Sequence, residues 1–359
     1  MIRTLMLVVT GSLMMLSACT SRGPGRMPPD RFNYNQAIAQ SSNEQMLLNL
    51  VRLRYSEIPV FLAVSSVLTQ YSYASSVGAH GFGGSTLGEP WWQVGGSANF
   101  QYVERPTITY APLAGDEFAD QLLKPIPIDM VFSLVDSGWS PDQLLFMSLF
   151  RVNDVLNVPF EESRPGDMTR LRAFRNVVEQ MNVLGRHEAI EVQREENNGR
   201  VERYLVFDED PDPEAASLIR AFKKAVGLGA DRSRFRVTTR IMGRKPDEIT
   251  VRVRSLLELM GFLSQGIKIP APHVEEGRAV AWARGVEAEA RELMPIFVHS
   301  QAEPPETAPF VAVQYQDYWY YIPHSDLKSK QAFSMLAYLF QMQAPHPSTA
   351  GPLLTVPTG

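Results

Sequence analysis

The chain has 359 residues, with 34 Lys and Arg against 39 Asp and Glu for a formal net charge of −5, and 45% of its residues are hydrophobic. The acidic balance argues against nucleic acid, which selects strongly basic domains. The single cysteine excludes a disulfide framework and a paired-cysteine metal site.

In chain order, residues 1–18 read as a secretory signal. Arg3 gives the basic start, and the run from Leu5 to Leu16 is apolar except at Thr10, Gly11 and Ser12. That run is shorter than the roughly 20 apolar residues a spanning helix needs. Leu16-Ser17-Ala18-Cys19 resembles the lipobox of bacterial lipoproteins. The resemblance implies cleavage before Cys19, diacylation of its thiol and acylation of the new amine. An ordinary signal peptide with a chance cysteine is the weaker alternative, because the chain has no other cysteine. Cleavage removes Arg3 and leaves 341 residues, with 33 basic against 39 acidic side chains and a net charge of −6. Thr20 rather than aspartate follows the cysteine, which by the same resemblance implies a palmitate-bearing anchor in the outer membrane and a body facing the periplasm. Three acyl chains hold firmly, since each buried methylene contributes about 0.8 kcal/mol.

Residues 19–31 read as the lipidated cysteine and a flexible tether, rich in Gly, Pro and charge. A first segment over 32–160 opens with a helix from about Asn35 to Arg54, carrying Ile38, Leu47, Leu50 and Val51 at helical spacing. Two extended stretches follow, Val60 to Ser75 and Trp91 to Tyr110, around a glycine-rich connection. Ser140-Pro141-Asp142-Gln143 marks a helix start, with Ser140 expected to cap and Gln143 to complete a capping box. A boundary is expected near Pro159 to Gly166, followed by an α+β segment over 166–343.

Within that segment a helix spans about Met168 to Leu184, with Leu171, Phe174, Val178, Met181 and Leu184 on one side. Asn198-Gly199 turns a hairpin between Ala189–Val192 and Val201–Phe207. A helix from Ala215 to Val226 and a strand from Phe235 to Ile241 come next. A long helix from about Asp247 to Gln265 is expected on the stripe Ile249, Val253, Leu256, Met260 and Leu263. A strand at Ile296 to His299, a hairpin from Phe310 to Ile322 turning at Gln316-Asp317, and a helix from Asp326 to Gln343 complete the order. Residues 344–359 read as a loose tail. Strands and helices fall in segregated groups, which predicts an α+β fold with helices on antiparallel hairpins.

Two segments, Asn43 to Tyr55 (Asn-Glu-Gln-Met-Leu-Leu-Asn-Leu-Val-Arg-Leu-Arg-Tyr) and Glu104 to Leu113 (Glu-Arg-Pro-Thr-Ile-Thr-Tyr-Ala-Pro-Leu), resemble a family of uncharacterised proteobacterial lipoproteins. That resemblance implies no activity, ligand or site residue.

Catalytic signatures are mostly absent: the sequence has no His-Glu-x-x-His, no phosphate loop and no Gly-x-Ser-x-Gly elbow. An enzyme is not expected, nor a cofactor or a metal. His273 with Glu275 and Glu276 resembles half a metal site, but the prolines at 270 and 272 favour a solvated loop. His324 near Asp326 reads as the start of a helix. The arginines Arg232, Arg234, Arg236 and Arg240 form the basic concentration. The first three share one strand face, as a landing surface for an anionic partner or, the favoured reading, a solvated face compensated by acids elsewhere. Tyr315, Tyr318, Trp319, Tyr320 and Tyr321 form an aromatic hairpin, favoured as sheet packing over sugar stacking.

Val67 to Tyr102 is the least ordinary stretch. Both arms alternate between two faces, Tyr71 and Tyr73 on the outgoing arm and Trp92, Val94, Phe100 and Tyr102 on the returning one. Charge is absent from Val60 to Gly88 and from Trp91 to Val103. Those six residues are candidates for a membrane-facing surface, since length, alternation and terminal aromatics match a barrel strand; the favoured reading is a soluble one, a long hairpin with its apolar face covered by helices or a glycine-rich surface loop between strands. One hairpin alone cannot cross a bilayer with unpaired edges. Several copies closing one barrel can, which is similar in architecture to the lipoprotein channel that secretes curli fibres. The favoured expectation is a non-enzymatic, lipid-anchored scaffold or assembly partner in the outer envelope. It meets the membrane through its N-terminal lipid and an envelope protein or its own copies. The alternative is an oligomeric export or pore component built from the hairpins.

Overall fold

The computed structural model describes residues 22–86, 89–158, 168–197, 199–240, 242–280, 282 and 285–343. The leader over 1–18, Cys19, the boundary over 159–166 and the tail over 344–359 lie outside the described residues. The fold is α+β, as the segregated pattern predicts, with ten helices and eleven strands among the described residues and no closed barrel. Two compact units emerge, Val60–Leu113 and the remainder.

The larger unit opens with α1 (Arg22–Arg54). Its stripe of Met46, Leu47, Leu50 and Val51 is buried, each side chain contributing roughly 1.5–3 kcal/mol. Residues 22–31, expected as tether, are helical instead. Once the packed turns exist, each added residue gains a hydrogen bond without a new nucleus. Pro28 and Pro29 withhold two backbone donors but do not end the helix.

Three short helices follow the smaller unit: α2 (Asp116–Leu123), α3 (Ile128–Asp136) and α4 (Pro141–Ser148). Pro141 occupies the first turn as expected, but the capping box does not form. Ser140 donates to the Asp142 carboxylate, and Gln143 donates to the Lys328 carbonyl at 3.1 Å. The Asp142 carboxylate holds the serine hydroxyl proton, and no backbone N–H of the first turn reaches the serine oxygen.

A six-stranded sheet forms the centre, in the order β4 (Val155–Leu156), β3 (Leu149–Val152), β8 (Glu248–Val253), β7 (Arg234–Thr238), β6 (Arg200–Phe207) and β5 (Ile190–Asn197). Every pairing is antiparallel except β7 with β8. The β5–β6 hairpin turns where Asn198-Gly199 predicts it, with Gly199 at φ 72°; Asn198 is outside the described residues. Helices α5 (Thr169–Arg186) and α6 (Pro213–Ala225) bury the expected Leu171, Phe174, Val178 and Leu184, with Ile219 and Phe222.

The long helix expected over 247–265 is two elements. Residues 248–253 are strand β8, and α7 covers only Leu256–Ser264. Ile249, Thr250, Val251 and Val253 are β-branched and fit a pleated surface better than a helix. Ser255 then starts α7 with a full capping box: its hydroxyl accepts from the Glu258 N–H and the Glu258 carboxylate accepts from the Ser255 N–H. After α7, the backbone of Gly266 passes so close to residues 296–298 that a Cβ there would stand 2.0 Å from the Ile296 carbonyl oxygen.

Short helices α8 (Ala271–Glu275) and α9 (Glu287–Leu293) lead to a three-stranded sheet ordered β10 (Val311–Tyr315), β11 (Tyr318–Ile322) and β9 (His299–Gln301). Gln316 and Asp317 have φ 46° and 67°, the paired left-handed residues of a two-residue hairpin turn. Helix α10 (Leu327–Gln343) closes the unit over Ala332, Phe333, Leu336 and Leu339. The Asp326 carboxylate accepts from the Ser329 N–H at its start.

The smaller unit is one antiparallel ribbon, β1 (Phe61–Thr86) with β2 (Glu89–Leu113), 26 and 25 residues long. The glycine-rich connection expected between shorter strands is itself paired: Gly81 faces Val94 and Gly83 faces Trp92. Among the described residues no third strand joins either edge.

Candidate functional site

The ribbon's register decides which positions share a face. Tyr73 pairs with Tyr102, Ser75 with Phe100, Gly81 with Val94, Gly83 with Trp92, and Tyr71 with Glu104. Directly paired residues lie on the same side of the pleat, so all six positions singled out in the sequence fall on one face. The other face carries Gln70, Ser72, Ser76 and His80 from β1, with Gln93, Ser97, Asn99 and Gln101 from β2. Leu68, Ala74, Phe82, Trp91 and Val103 also fall there, toward the ends except for Ala74.

The dimensions are specific. Ten residue steps separate Tyr73 from Gly83, about 34 Å of strand at roughly 3.4 Å per residue. A barrel tilt of about 40° projects that to about 26 Å, close to the roughly 25 Å apolar band of such barrels. Tyrosines stand at one end of this band and Trp92 at the other, where aromatic girdles lie in barrels. Fifteen steps separate Tyr71, opposite Glu104, from Thr86, opposite Glu89. The paired stretch between those charges projects to about 39 Å, near the roughly 40–45 Å of a bilayer with its headgroups. The same rule leaves no candidate among the helices: no described helix is long and apolar enough to cross a membrane.

The arginine strand lies in the larger unit and is heavily compensated. Arg234 pairs with Glu195 at 2.6 Å and stacks 3.8 Å over Tyr204. Arg236 bridges Glu202, at 3.3 Å, and Glu248. The Lys245 N–H and then the Arg236 guanidinium hold the buried Glu248 carboxyl below the usual range. The compensating acids are cross-strand neighbours on β5, β6 and β8. Arg232 contributes its carbonyl to Lys223, and Arg240 its carbonyl to the Thr250 hydroxyl.

A polar network missed in the sequence ties the end of α1 to the C-terminal sheet. The Tyr55 hydroxyl lies 2.6 Å from His273 Nδ1 and 2.6 Å from the Tyr320 hydroxyl. His273, expected in a solvated loop, is 3% exposed in α8. Burial, then the Arg278 charge, pushes its pKa down, and burial pushes the Tyr55 and Tyr320 phenols up. The aromatic hairpin thus does pack, with Tyr320 fully buried. Tyr315 donates to the Glu57 carboxylate, and its phenol is pushed up to about 12 by burial and by that carboxylate.

Arg254, also buried, donates to the carbonyls of Met147 at 2.9 Å, Leu149 at 2.6 Å and Asn157. It closes the end of α4, and burial lowers its pKa to about 9. A cavity of about 390 Å³ opens near the start of α10, lined by Arg291, His299, Ser325, Asp326 and Lys328 among others. Its Ser329 hydroxyl is engaged by the Phe297 N–H and by Asp326. His299 is held low by burial and the Arg291 charge. His324 stands apart from these groups, edge-on to Phe310. Among the described residues no group of three His, Cys, Asp or Glu is placed to hold a metal ion.

No protein-family model, curated protein or solved structure matches this chain.

Proposed function

We propose that the protein is an oligomeric, lipid-anchored component of the outer membrane whose Val60–Leu113 ribbons pair edge to edge, β1 of one copy with β2 of the next, into a shared β-barrel. The larger unit faces the periplasm, and Cys19 carries the lipid. One observation carries this reading: a two-faced, two-stranded ribbon with no third described strand on either edge. A lone pair of strands is marginal in water, and its unpaired N–H and C=O groups invite another chain. Closure into a ring satisfies them all, the one arrangement of strands that a bilayer tolerates. The Tyr71, Tyr73, Trp92, Val94, Phe100 and Tyr102 face then meets lipid, and the Gln, Ser and Asn face lines a water-filled lumen. No catalytic step, cofactor or nucleic acid enters this reading.

The test is conductance of detergent-extracted protein in planar bilayers, beside a variant with residues 67–102 replaced by a short Gly-Ser linker. Channels are expected from the full chain and none from the variant. A monomer by light scattering in detergent, or conductance unchanged by the replacement, overturns the reading. The scaffold role expected from the sequence is served by the same lone ribbon if a different envelope protein covers its edges. Cross-linking in cells separates the two, giving multiples of this chain's mass for the barrel and a second polypeptide for the scaffold.

A further inference from the structure

Residues of α9, β9 and the start of α10 line the cavity of about 390 Å³ in the larger unit, a volume within the roughly 300–1,000 Å³ of small-molecule sites. Phe297 and Pro323 supply apolar lining, and Arg291, Lys328 and Asp326 supply charge. The carboxylate is already committed. Its two oxygens accept from Ser329, one from the N–H at 3.0 Å and the other from the hydroxyl at 2.7 Å, so Asp326 serves as the cap of α10. The two cations are not committed in this way. Arg291 makes no ion pair among the described residues and lies 5.3 Å from the centre of the Phe297 ring. The Lys328 amine donates to the Glu292 carbonyl, and among the described residues no carboxylate stands within ion-pair distance of it. Burial at the amine, then the Arg175 charge, lowers its pKa to about 8, and Asp326 and Glu292 do not offset them. His299 is held low and adds no positive charge at pH 7, its ring packing against Phe297 and Tyr321.

We propose that this cavity binds a small organic anion, with Arg291 and Lys328 on a carboxylate or phosphate head and Phe297 and Pro323 against an apolar body. A planar guanidinium matches two oxygens of such a head, and an ammonium adds a point charge to it. Both residues are exposed, so the head reaches them from solvent. The site is built within the larger unit and stands whether or not the ribbons close a barrel.

The experiment is calorimetric titration of the full chain in detergent with benzoate, phenyl phosphate and the neutral benzamide, each in matched detergent. Saturable binding of one ligand per chain is expected for benzoate, phenyl phosphate or both, and which of them binds tighter identifies the head. Benzamide should bind about ten-fold more weakly or not at all, since a charge-assisted contact contributes about 1.5–3 kcal/mol. Arg291→Gln and Lys328→Gln should each weaken anion binding by about ten-fold. Lys224→Gln, the same charge change at an exposed position on α6, should leave it unchanged. Failure of both anions to saturate, or benzamide binding as tightly as they do, overturns the proposal on the natural chain alone. Anion binding untouched by both cavity substitutions, or weakened as much by Lys224→Gln, overturns the assignment to this cavity.

Discussion

Substituting one end and the middle of the buried hydroxyl chain should produce effects that depend on each other, even to a change of sign. The Tyr55 hydroxyl lies 2.6 Å from both His273 Nδ1 and the Tyr320 hydroxyl. A phenol carries one proton; with the Gln316 backbone carbonyl taking the Nε2 proton of His273, Tyr320 donates to Tyr55 and Tyr55 donates to Nδ1. Exposures of 7%, 0% and 3% for Tyr55, Tyr320 and His273 leave little water to replace a lost partner. Tyr320→Phe deletes a terminal donor and leaves Tyr55 bonded to His273, for a net loss of about 1 kcal/mol. Tyr55→Phe deletes the middle and orphans both neighbours, at about 1–3 kcal/mol each, so about 2–6 kcal/mol in all. The double substitution removes one of those orphans. Tyr320→Phe should therefore destabilise the natural chain by about 1 kcal/mol yet stabilise the Tyr55→Phe variant by about 1–3 kcal/mol. Urea unfolding of the full chain in detergent, followed by near-ultraviolet circular dichroism, reads all four corners of this cycle. Equal cost of Tyr320→Phe with and without Tyr55→Phe would refute a shared hydroxyl chain.

Ser255→Ala removes a working capping box and should lower stability by about 1 kcal/mol, whereas Ser140→Ala, whose hydroxyl caps nothing, should change it far less; equal losses by urea unfolding would contradict the cap assignment. Gly266→Ala forces a methyl against the Ile296 carbonyl and should cost about 1–3 kcal/mol or more, seen as a lowered thermal midpoint. His273 and His299 have folded pKa values below the unfolded value of about 6.5. The unfolded chain therefore binds more protons just below that pH, and stability falls as pH drops through about 6.5 toward the folded values. His299→Gln should flatten that slope between pH 8 and 5, and a slope unchanged in the variant contradicts it. Deleting Ser65, the unpaired residue of a bulge in β1, should leave oligomer formation in detergent intact, while inserting an alanine after Ser75 should abolish it; equal tolerance of both means the ribbon's faces do not matter.

Much of the larger unit is legible because its signals are local. Leu171, Phe174 and Val178 fit a helix on spacing alone, and Gln316-Asp317 sits between two apolar runs at turn length. The error over 247–265 has a local cause too. Ile249 and Val253 stand four apart, which suits a helical stripe, and the β-branched run between them with Ser255-x-x-Glu258 beyond it was the better signal. The polar sites fail for a different reason. His273 follows two prolines and looks like a loop, and its burial depends on Tyr55, 218 residues earlier in the chain. Arg236 likewise looks free until β8 brings Glu248 beside it.

The ribbon marks the limit most sharply. Alternation within each strand is visible residue by residue, yet two patterned strands make a two-faced surface only if their register agrees. Near the base, Phe61 pairs with Leu113 and Val64 with Tyr110; continued without interruption, that ladder would set Tyr73 opposite Gln101. The faces would then mix, aromatic against amide, at every pair above the base. The bulge between Val64 and Ser66 shifts the pairing by one, so that Tyr73 meets Tyr102. Ser65 is the extra residue, and its hydroxyl donates to the Thr109 carbonyl at 3.1 Å across the strands. Serine is common in loops and in strands that face water, so nothing about Ser65 in the sequence distinguishes a bulge. The bulge lets the base of the ribbon and the patterned stretch above it each keep its own register, and the barrel reading depends on the sorting above the bulge more than on any single aromatic residue.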